Sequence, residues 1–313
     1  MNDIKEKSFI SAVVYVHNVG DGISDFMKHL IRLFEDNFEH SEIICVNDFS
    51  VDNSVEQIKS IRDEAKATAI TILNLNHFHG LEVAMNAGVD LSIGDFVLEI
   101  DTTIQDYEDS EIMRVYRKVL EGYDIVSASP DKKQKISSSF FYWTYAKFSN
   151  SYEKMHSDTF RILSRRAINR INGLSRTVPY RKGIYINCGL KTANIRYKVV
   201  YMKNSEKSDK QLKKYRNDLA FETLILFTNV GYFVSKMLTM IMMLISGFMI
   251  IYAIIIYFSS HPIAGWTTTI LFLSVAFFGL FAILTIIIKY LQILLKLIFR
   301  RTKYIYESIE KIT

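Results

Sequence analysis

The stretch FISAVVYVHNVGDGISDFMKHLIRLFEDNFEHSEIICVND, residues 9–48, contains two apolar runs with an amphipathic segment between them. The first run, Phe9–Val16, is rich in β-branched residues and predicts a strand. Ile23–Phe38 then carries apolar residues at helical spacing, and Glu42–Val46 is a second short apolar run. This order of strand, helix and strand predicts two parallel strands joined by a crossover helix.

The same alternation continues after residue 48. Val51–Glu64 and Leu81–Leu91 are predicted helices, and Thr68–Leu75 and Asp95–Ile100 are predicted strands. Strands that alternate with helices favour an α/β fold with a Rossmann-like sheet, mainly parallel and covered by helices. In such sheets ligands bind at the carboxyl ends of the strands.

Polar residues follow each of the four predicted strands. They are Asn18, the pair Asn47 and Asp48, Asn76 with His77, and Asp101. Because these strand ends meet at one edge of a parallel sheet, we expect the residues to line a crevice of the size of a nucleotide. The alternative is that each Asn or Asp only forms a turn or caps a helix.

The second half of the chain contains two long uncharged runs, 237–258 and 266–288. Each is long enough to cross a hydrocarbon core of about 30 Å as a helix. A short break around Ser259–Pro262 separates them, so the sequence predicts a hairpin of two transmembrane helices. Two buried core helices are the alternative interpretation.

Basic residues flank the two runs, whereas the loop between them has no Lys or Arg. The flanking residues are Lys203, Lys207, Lys210, Lys213, Lys214 and Arg216 before the first run, and Lys289, Lys296, Arg300, Arg301 and Lys303 after the second. The positive-inside rule then places both ends of the hairpin in the cytoplasm. These basic flanks account for much of the net charge of +5. We therefore expect them to contact anionic membrane lipids and not nucleic acid.

Four regions follow from this pattern. We expect a cytoplasmic α/β domain in 1–210, an amphipathic interfacial helix in 211–236, the transmembrane hairpin in 237–290 and a cytoplasmic basic tail in 291–313. A solvent-facing domain helix is the alternative for 211–236. The predicted location is the cell membrane, multi-pass.

Two further observations support a domain that is made and kept inside the cell. The charged residues 2–7 precede only a short, strand-like apolar run, so no signal peptide is expected. Cys45 and Cys188 are too few for a disulfide framework, and we expect both to be buried free thiols.

The order of these pieces resembles family 2 glycosyltransferases of the GT-A fold, and within them the polyprenyl-phosphate transferases. These include dolichol-phosphate mannose synthase and the bacterial carrier-lipid glucosyltransferases. The segments that carry the resemblance are AVVYVHN at 12–18, EIICVNDFSVDNS at 42–54, LEVAMNAGVDLSIGDFVLEIDTTI at 81–104, TFRI at 159–162, YRKG at 180–183, GWT at 265–267 and YE at 306–307.

The resemblance implies a nucleotide-sugar site at the strand ends. The residues that it implies for the nucleotide are Val16, Asn18, Asp48, Asn76 and Asp101. A carboxylate at Asp48 would accept a hydrogen bond from the base. The resemblance further implies a divalent metal, Mg²⁺ or Mn²⁺, held by Asp101 and Gln105.

The sequence departs from the family pattern at positions that carry the chemistry. Thr103 replaces the second metal-binding aspartate, Asn47 the first aspartate of the second strand, and Phe49 the glycine that follows it. Thr159 stands where the acceptor base is expected, with Asp158 one position earlier. A one-residue shift in an extended segment turns a side chain to the opposite face, which puts the role of Asp158 in doubt.

For the acceptor, the resemblance implies a catalytic role for Asp158 and phosphate contacts by Arg161 and Arg181, with Lys207 as a further candidate. Solvated or lipid-facing charges are the alternative for the three basic residues. A phosphate oxygen is already anionic at neutral pH, so it needs less help from a base than a hydroxyl does.

Two functions from different classes remain open. One is an inverting transferase that moves a sugar from a UDP- or GDP-sugar to a polyprenyl phosphate. The other is a catalytically weak or inactive relative that serves as a binding or assembly subunit of a polysaccharide system. A transferase with another acceptor is a smaller possibility, and a processive synthase is disfavoured because residues 160–210 lack the Gln-x-x-Arg-Trp signature.

Small residues lie in both uncharged runs and permit close helix packing. They are Ser246, Gly247, Ala276 and Gly279. These small residues either pack against another copy of the chain in a homo-oligomer or face lipid, and the sequence favours neither alternative.

Overall fold

The structure is a computed structural model that describes residues 5–132, 136–149, 155–174, 180–200, 210–259, 266–299 and 306–313. The chain forms two compact units. Unit 1 comprises residues 1–146, 151–220 and 302–313, and unit 2 comprises 147–150 and 221–301.

Unit 1 is built on one sheet of eight strands. The strands are β1 (Ile10–Val16), β2 (Ser41–Asn47), β3 (Ala69–Leu75), β4 (Phe96–Ile100), β5 (Ile125–Pro130), β6 (Phe160–Ser164), β7 (Thr192–Tyr197) and β8 (Tyr306–Lys311). Their order across the sheet is β7-β5-β6-β4-β1-β2-β3-β8. β1 lies at the centre and pairs in parallel with β2 and β4.

The helices follow the predicted alternation. They are α1 (Gly22–Asn37), α2 (Ser54–Ser60), α3 (Leu81–Leu91), α4 (Asp109–Leu120), α5 (Ile136–Phe148), α6 (Arg165–Leu174), α7 (Arg181–Tyr185), α8 (Lys210–Phe227), α9 (Val230–Ser259) and α10 (Trp266–Phe299). The four predicted strands and the helices of the first 100 residues are confirmed within a few residues, except that 51–64 contains a shorter helix followed by a 3₁₀ turn at Arg62–Glu64.

Apolar side chains cover both faces of the sheet. β1 is buried along its whole length, as expected for a central strand with helices on either side. Cys45 and Cys188 are both buried and free, which confirms the prediction. α3 packs closely on β1 and β2, because a Cβ at Gly88 would lie 2.3 Å from Val13 Cγ1 and 2.6 Å from Val46 Cγ2.

Two strands run against the parallel direction. β6 is antiparallel to β4 and β5, and β8 is antiparallel to β3. β8 lies within the segment that the sequence assigns to a basic tail, so part of that segment belongs to the sheet. Its side chains bond to Asn74 of β3, whose amide nitrogen donates to Ser308 Oγ at 3.0 Å and to Glu310 Oε1 at 2.9 Å.

Unit 2 contains α9 and α10, which pack against each other. A Cβ at Gly279 would lie 1.9 Å from Met242 Cε, and one at Gly231 would lie 2.4 Å from the Tyr290 hydroxyl. These two contacts show that the helices run antiparallel. Gly279 therefore permits close packing within the chain.

Helices occupy both of the uncharged runs, but the two predicted membrane crossings are not confirmed. Within the described ranges, no helix reaches the length and apolarity that a bilayer crossing requires. The predicted break at 260–262 and the flanking residues Lys203, Lys207, Arg300, Arg301 and Lys303 lie outside the described residues. The predicted interfacial helix 211–236 is divided between α8, which ends at Phe227, and the start of α9.

Candidate functional site

The carboxyl ends of β1, β2 and β4 lie at one edge of the sheet, as predicted. Asp48 follows β2 and Asp101 follows β4, with β1 between the two strands. The N-terminus of α3 connects the two carboxylates, because Gly80 contacts Asp48 and Glu82 contacts a residue that binds Asp101. The sheet edge therefore brings the two predicted aspartates into one site.

Asp48 is fully buried, and its carboxylate accepts three hydrogen bonds. The backbone N–H groups of His79 and Gly80 donate to Oδ1 and Oδ2 at 2.7 and 2.8 Å, and the Tyr15 hydroxyl donates to Oδ2 at 3.0 Å. Burial and the nearby Asp48 charge raise the pKa of Tyr15 well above its usual value, so its hydroxyl stays protonated. Asp48 thus holds the loop after β3 against β1, and a nucleobase would have to exchange with these donors.

Two residues of this edge adopt left-handed backbone conformations. Phe49, which stands at the family's glycine position, has φ of 57° and is 48% exposed, and Asn18 has φ of 50°. Asn18 links the loops after β1 and β2, because its N–H donates to Ser50 Oγ and its side-chain oxygen accepts from Val51 N–H at 2.9 Å. The turn after β2 therefore keeps a glycine-like backbone without the glycine.

The remaining nucleotide residues predicted from the sequence lie at the same edge. Val16 is buried and accepts a hydrogen bond from Asp48 N–H through its carbonyl oxygen at 2.9 Å. Asn76 is exposed and its side-chain oxygen lies 2.7 Å from His77 Nδ1. Of the five predicted nucleotide residues, Asn76 is exposed, Asn18 and Asp101 are partly exposed, and Val16 and Asp48 are buried.

The centre of the site is a buried ion network of four carboxylates and three cations. Its members are Glu82, Glu99, Asp101, Asp158, Arg161, Arg181 and Lys182. The structure thus brings all three predicted catalytic residues to Asp101. With every member ionised, the network carries a formal charge of minus one.

Arg161 lies in β6 and is 1% exposed. Its Nε donates to Asp158 at 2.7 Å, Nη1 to Glu99 at 2.7 Å and Nη2 to Asp101 at 2.6 Å. Burial disfavours the charge, but the surrounding carboxylates offset this effect and raise the pKa of Arg161 above its usual value. All three nitrogens of the guanidinium are bound to protein carboxylates.

Arg181 begins α7 and is equally buried. Its Nε and backbone N–H donate to Glu82 at 3.1 and 2.7 Å, Nη1 lies 2.9 Å from Glu99, and Nη2 donates to Asp101 at 2.7 Å. Lys182, the next residue, pairs with Asp158. The predicted phosphate-binding arginines therefore contact carboxylates of the chain in this structure.

Asp101 uses both of its oxygens in the network, Oδ2 with Arg161 and Oδ1 with Arg181. Burial alone would raise its pKa, but the charges of the two guanidiniums hold the pKa of Asp101 far below the usual range for a carboxyl group. The pKa of Asp158 is also lowered, because Arg161 and Lys182 outweigh the effect of burial. Both groups are therefore anionic at neutral pH.

Asp158 faces the ion network, and its neighbour Thr159 turns to the opposite side, where its hydroxyl lies 2.7 Å from Tyr197 Oη. Thr159 lies in a bend directly before β6, so strand alternation does not extend to this pair. A cavity of about 270 Å³ adjoins the network, and Asp158, Arg161 and Lys182 form part of its wall. The other lining residues are Ile125, Ser127, Met155, His156, Tyr185, Ile186, Thr192, Ala193 and Asn194. Asp158 thus reaches the cavity in spite of its shifted position.

The residues predicted to hold a metal are not arranged as a set of ligands. Gln105 donates through Nε2 to Asp109 at 2.5 Å, and Asp106 accepts from Tyr197 at 2.6 Å and from Lys132 at 2.8 Å. Over the described ranges, no group of three or more His, Cys, Asp or Glu side chains could hold a metal ion. The donors present at the end of β4 do not fit a divalent cation.

Sequence reasoning missed Glu99, Glu82, Lys182 and Tyr185 as members of the site. Glu99 is completely buried, and its Oε1 accepts a hydrogen bond from the Tyr185 hydroxyl at 2.7 Å. A signal was present, because Glu99 interrupts the apolar strand FVLEI. A carboxylate at such a position requires a buried partner.

The comparisons with known proteins agree with this fold. The profile described as Glycosyl transferase family 2 matches residues 11–193. An uncharacterized glycosyltransferase of Synechocystis sp. is 28% identical over 182 residues, which cover 56% of this chain and 56% of that protein. An undecaprenyl-phosphate 4-deoxy-4-formamido-L-arabinose transferase of Edwardsiella ictaluri is 30% identical over 134 residues, 43% of this chain and 41% of that protein. The chain spans about half the length of these curated relatives.

A solved structure shares the fold. It is glucosyl-3-phosphoglycerate synthase from Mycobacterium tuberculosis in complex with Mn²⁺, UDP-glucose and phosphoglyceric acid. The TM-score is 0.50 with 13% identity, and the superposition covers 69% of this chain and 77% of that chain. At this identity the likeness shows the fold alone.

Proposed function

Because the chain belongs to glycosyl transferase family 2, we propose that it moves a sugar from a UDP- or GDP-sugar to a polyprenyl phosphate at the cytoplasmic face of the membrane. The product serves a cell-surface polysaccharide or glycan modification. One relative bears the name of an undecaprenyl-phosphate transferase, which supports a carrier lipid as the acceptor.

The observation that carries the proposal is the shared sheet edge. Asp48 and Asp101 end two strands that flank β1, within the segment matched by the family. The cavity beside Asp158 adjoins the same ion network. A donor at the strand ends and an acceptor in the cavity would then meet at Asp101 and Asp158.

In the proposed reaction, an anionic oxygen of the acceptor phosphate attacks the anomeric carbon. The bond from that carbon to the donor diphosphate breaks, and the configuration inverts. Arg161 and Lys182 hold the Asp158 carboxylate in place at the cavity wall. The attacking oxygen carries its charge already, so Asp158 is not needed to remove a proton. Arg161 and Lys182, which line the same cavity, are the cations that would attract the acceptor phosphate.

The membrane hairpin is a further part of the proposal. Its support is the uncharged sequence of 237–258 and 266–288 and the outward display of large apolar side chains on unit 2. Phe248 and Phe278 are each 75% exposed in the isolated chain. Apolar surface of this kind is expected to be covered by lipid or by a partner.

A specific observation favours the alternative of an inactive binding or assembly subunit. The carboxylates of Asp48 and Asp101 and the guanidiniums of Arg161 and Arg181 are all engaged inside the protein. A substrate would find few free groups at these four positions.

The test is the synthesis of a lipid-linked sugar. Membranes that contain the full chain are incubated with undecaprenyl phosphate and a panel of labelled UDP- and GDP-sugars, and lipid-extractable label is measured. We expect label from at least one donor, its loss in Asp101→Asn, and its retention in Asp124→Asn. Asp124 is a matched control because it is also buried and paired with an arginine, Arg166, but lies before β5. If the folded protein yields no labelled lipid from any donor, the inactive alternative replaces the proposal.

A further inference from the structure

We propose that this site binds its nucleotide without a divalent cation, because two buried guanidinium groups occupy the carboxylate that would otherwise hold the metal. Asp101 is the only aspartate left at the metal motif, since Thr103 replaces the second one. Each of its two oxygens receives a guanidinium nitrogen, at 2.6 Å from Arg161 and 2.7 Å from Arg181. A cation at this carboxylate would have to displace one of them.

Displacement is opposed by the way in which each guanidinium is held. Arg161 is also bound by Glu99 and Asp158, and Arg181 by Glu82 and Glu99. Both side chains are 1% exposed, so the protein encloses each guanidinium almost completely. Moving Arg181 would take the paired cation from Glu82, and moving Arg161 would take one of two paired cations from each of Glu99, Asp101 and Asp158. Either loss is costly in a low-dielectric interior.

The neighbouring donors do not supply a second route to a metal site. The Gln105 carboxamide is tied to Asp109 through its nitrogen, and Asp106 is held by Tyr197 and Lys132. Mg²⁺ and Mn²⁺ prefer several oxygen ligands around one position. Here the two candidate carboxylates are already paired with cations of the chain, Asp101 with Arg161 and Arg181 and Asp106 with Lys132.

The inference has two consequences that can be measured separately. First, the full chain has no Mn²⁺ site that depends on Asp101. Second, its affinity for UDP or GDP is the same with and without a divalent cation. The second consequence rests on the proposed function, whereas the first does not.

The first experiment titrates Mn²⁺ alone into the full chain by calorimetry. We expect the same heats from the wild type, from Asp101→Asn and from Thr103→Asp, which restores the second carboxylate on the half-exposed loop after β4. A Mn²⁺ site that is present in the wild type and lost in Asp101→Asn overturns the inference. A site gained in Thr103→Asp overturns the stated cause, because it would show that the guanidiniums do not keep a cation from Asp101. This result remains readable if Asp101→Asn fails to fold.

The second experiment titrates UDP and GDP into the wild type in EDTA and in saturating Mn²⁺. We expect the dissociation constants in the two buffers to agree within about threefold. A tenfold difference in dissociation constant corresponds to about 1.4 kcal/mol of binding free energy, so threefold is a small difference. Binding that appears only with Mn²⁺ overturns the inference and leaves the proposed function standing. Absence of binding in both buffers counts against the proposed function, and the Mn²⁺ titration then decides the inference by itself.

Discussion

Arg161 makes three ion pairs with a single guanidinium in the interior of unit 1, to Glu99, Asp101 and Asp158. Such a group organises its neighbours more than it adds net stability, because burying seven charged groups costs desolvation energy that the pairing has to recover. The planar fork of arginine suits this arrangement, since it offers nitrogens in three directions at fixed angles. Loss of one member therefore affects all the others.

Replacing Arg161 tests this dependence. Arg161→Met leaves three carboxylates with fewer partners, and we expect a loss of about 3–5 kcal/mol in the free energy of unfolding, the range for a broken buried ion pair. Denaturant unfolding of the full chain measures it. Arg114→Met is the control, because Arg114 is about half exposed and its bonds to Glu111 and to the Arg196 carbonyl lie at the surface, so its loss should change little. Equal stability of Arg161→Met and wild type would show that the network does not bear on the fold.

The lowered pKa of Asp101 predicts a pH dependence. In the unfolded chain the carboxyl group titrates near its ordinary value of about 3.9, and in the folded chain it titrates lower. Its contribution to stability is therefore complete above the unfolded pKa and is lost as the pH falls toward the folded pKa. We expect the stability of the wild type to fall more steeply below pH 4 than that of Asp101→Asn. Parallel curves measured between pH 7 and pH 3 would contradict the ion pairing.

At the scale of elements, the contact of α3 with β1 and β2 depends on Gly88. A methyl group there would meet Val13 and Val46 at 2.3 and 2.6 Å, so we expect Gly88→Ala to destabilise the protein by about 1–3 kcal/mol through overpacking. Gly173→Ala in α6 is the matched control, since no atom lies within 4 Å of its added Cβ. We expect this variant to be stabilised by about 0.4–1 kcal/mol. Thermal unfolding measures the stability of both variants. If Gly88→Ala and Gly173→Ala change the stability in the same direction, the packing argument is wrong.

β8 closes the edge of the sheet beside β3. Without it, the N–H and C=O groups along one side of β3 would be unpaired and open to association. We expect removal of 306–313 to lower the unfolding midpoint by at least about 2–4 °C, the shift that accompanies 1 kcal/mol in a domain of this size. Amide exchange of Ala69–Leu75 should become faster. The control is Glu307→Ala, because Glu307 is an exposed residue of the same strand and its loss should leave both measurements unaltered. An unchanged exchange rate of β3 after the truncation would show that β8 does not protect β3.

At the scale of the whole molecule, local pattern was sufficient for the first half of the fold. The apolar runs of β1 to β4 and the helical spacing of α1 and α3 predict their elements, because burial on both faces of a parallel sheet leaves a strong signal. The sequence also located the site edge, through the polar residues that end these strands. Long-range pairing was not visible in the same way: the antiparallel insertion of β6 and the return of β8 to β3 depend on contacts between residues far apart in the chain.

The site could be predicted only in outline. The resemblance to family 2 glycosyltransferases predicted that Asp101, Asp158, Arg161 and Arg181 belong to one site, and the structure groups them. Their partners determine what they do, and these partners depend on tertiary packing. Glu99 and Glu82 neutralise the arginines that the sequence assigns to phosphate binding, which no local motif reports. The membrane prediction rests on sequence pattern and remains a prediction, whereas the donors at the end of β4 do not fit the metal that the family resemblance implies.

The measurement that tests the central claim most directly is hydrogen exchange of the full chain with and without saturating UDP and GDP. The account predicts that one of the nucleotides slows exchange at the ends of β1, β2 and β3, in residues 17–20, 48–54 and 76–80, and leaves the amides of α9 and α10 unchanged. Slowed exchange that is confined to other segments, or no change with either nucleotide, would contradict a donor site at this edge of the sheet.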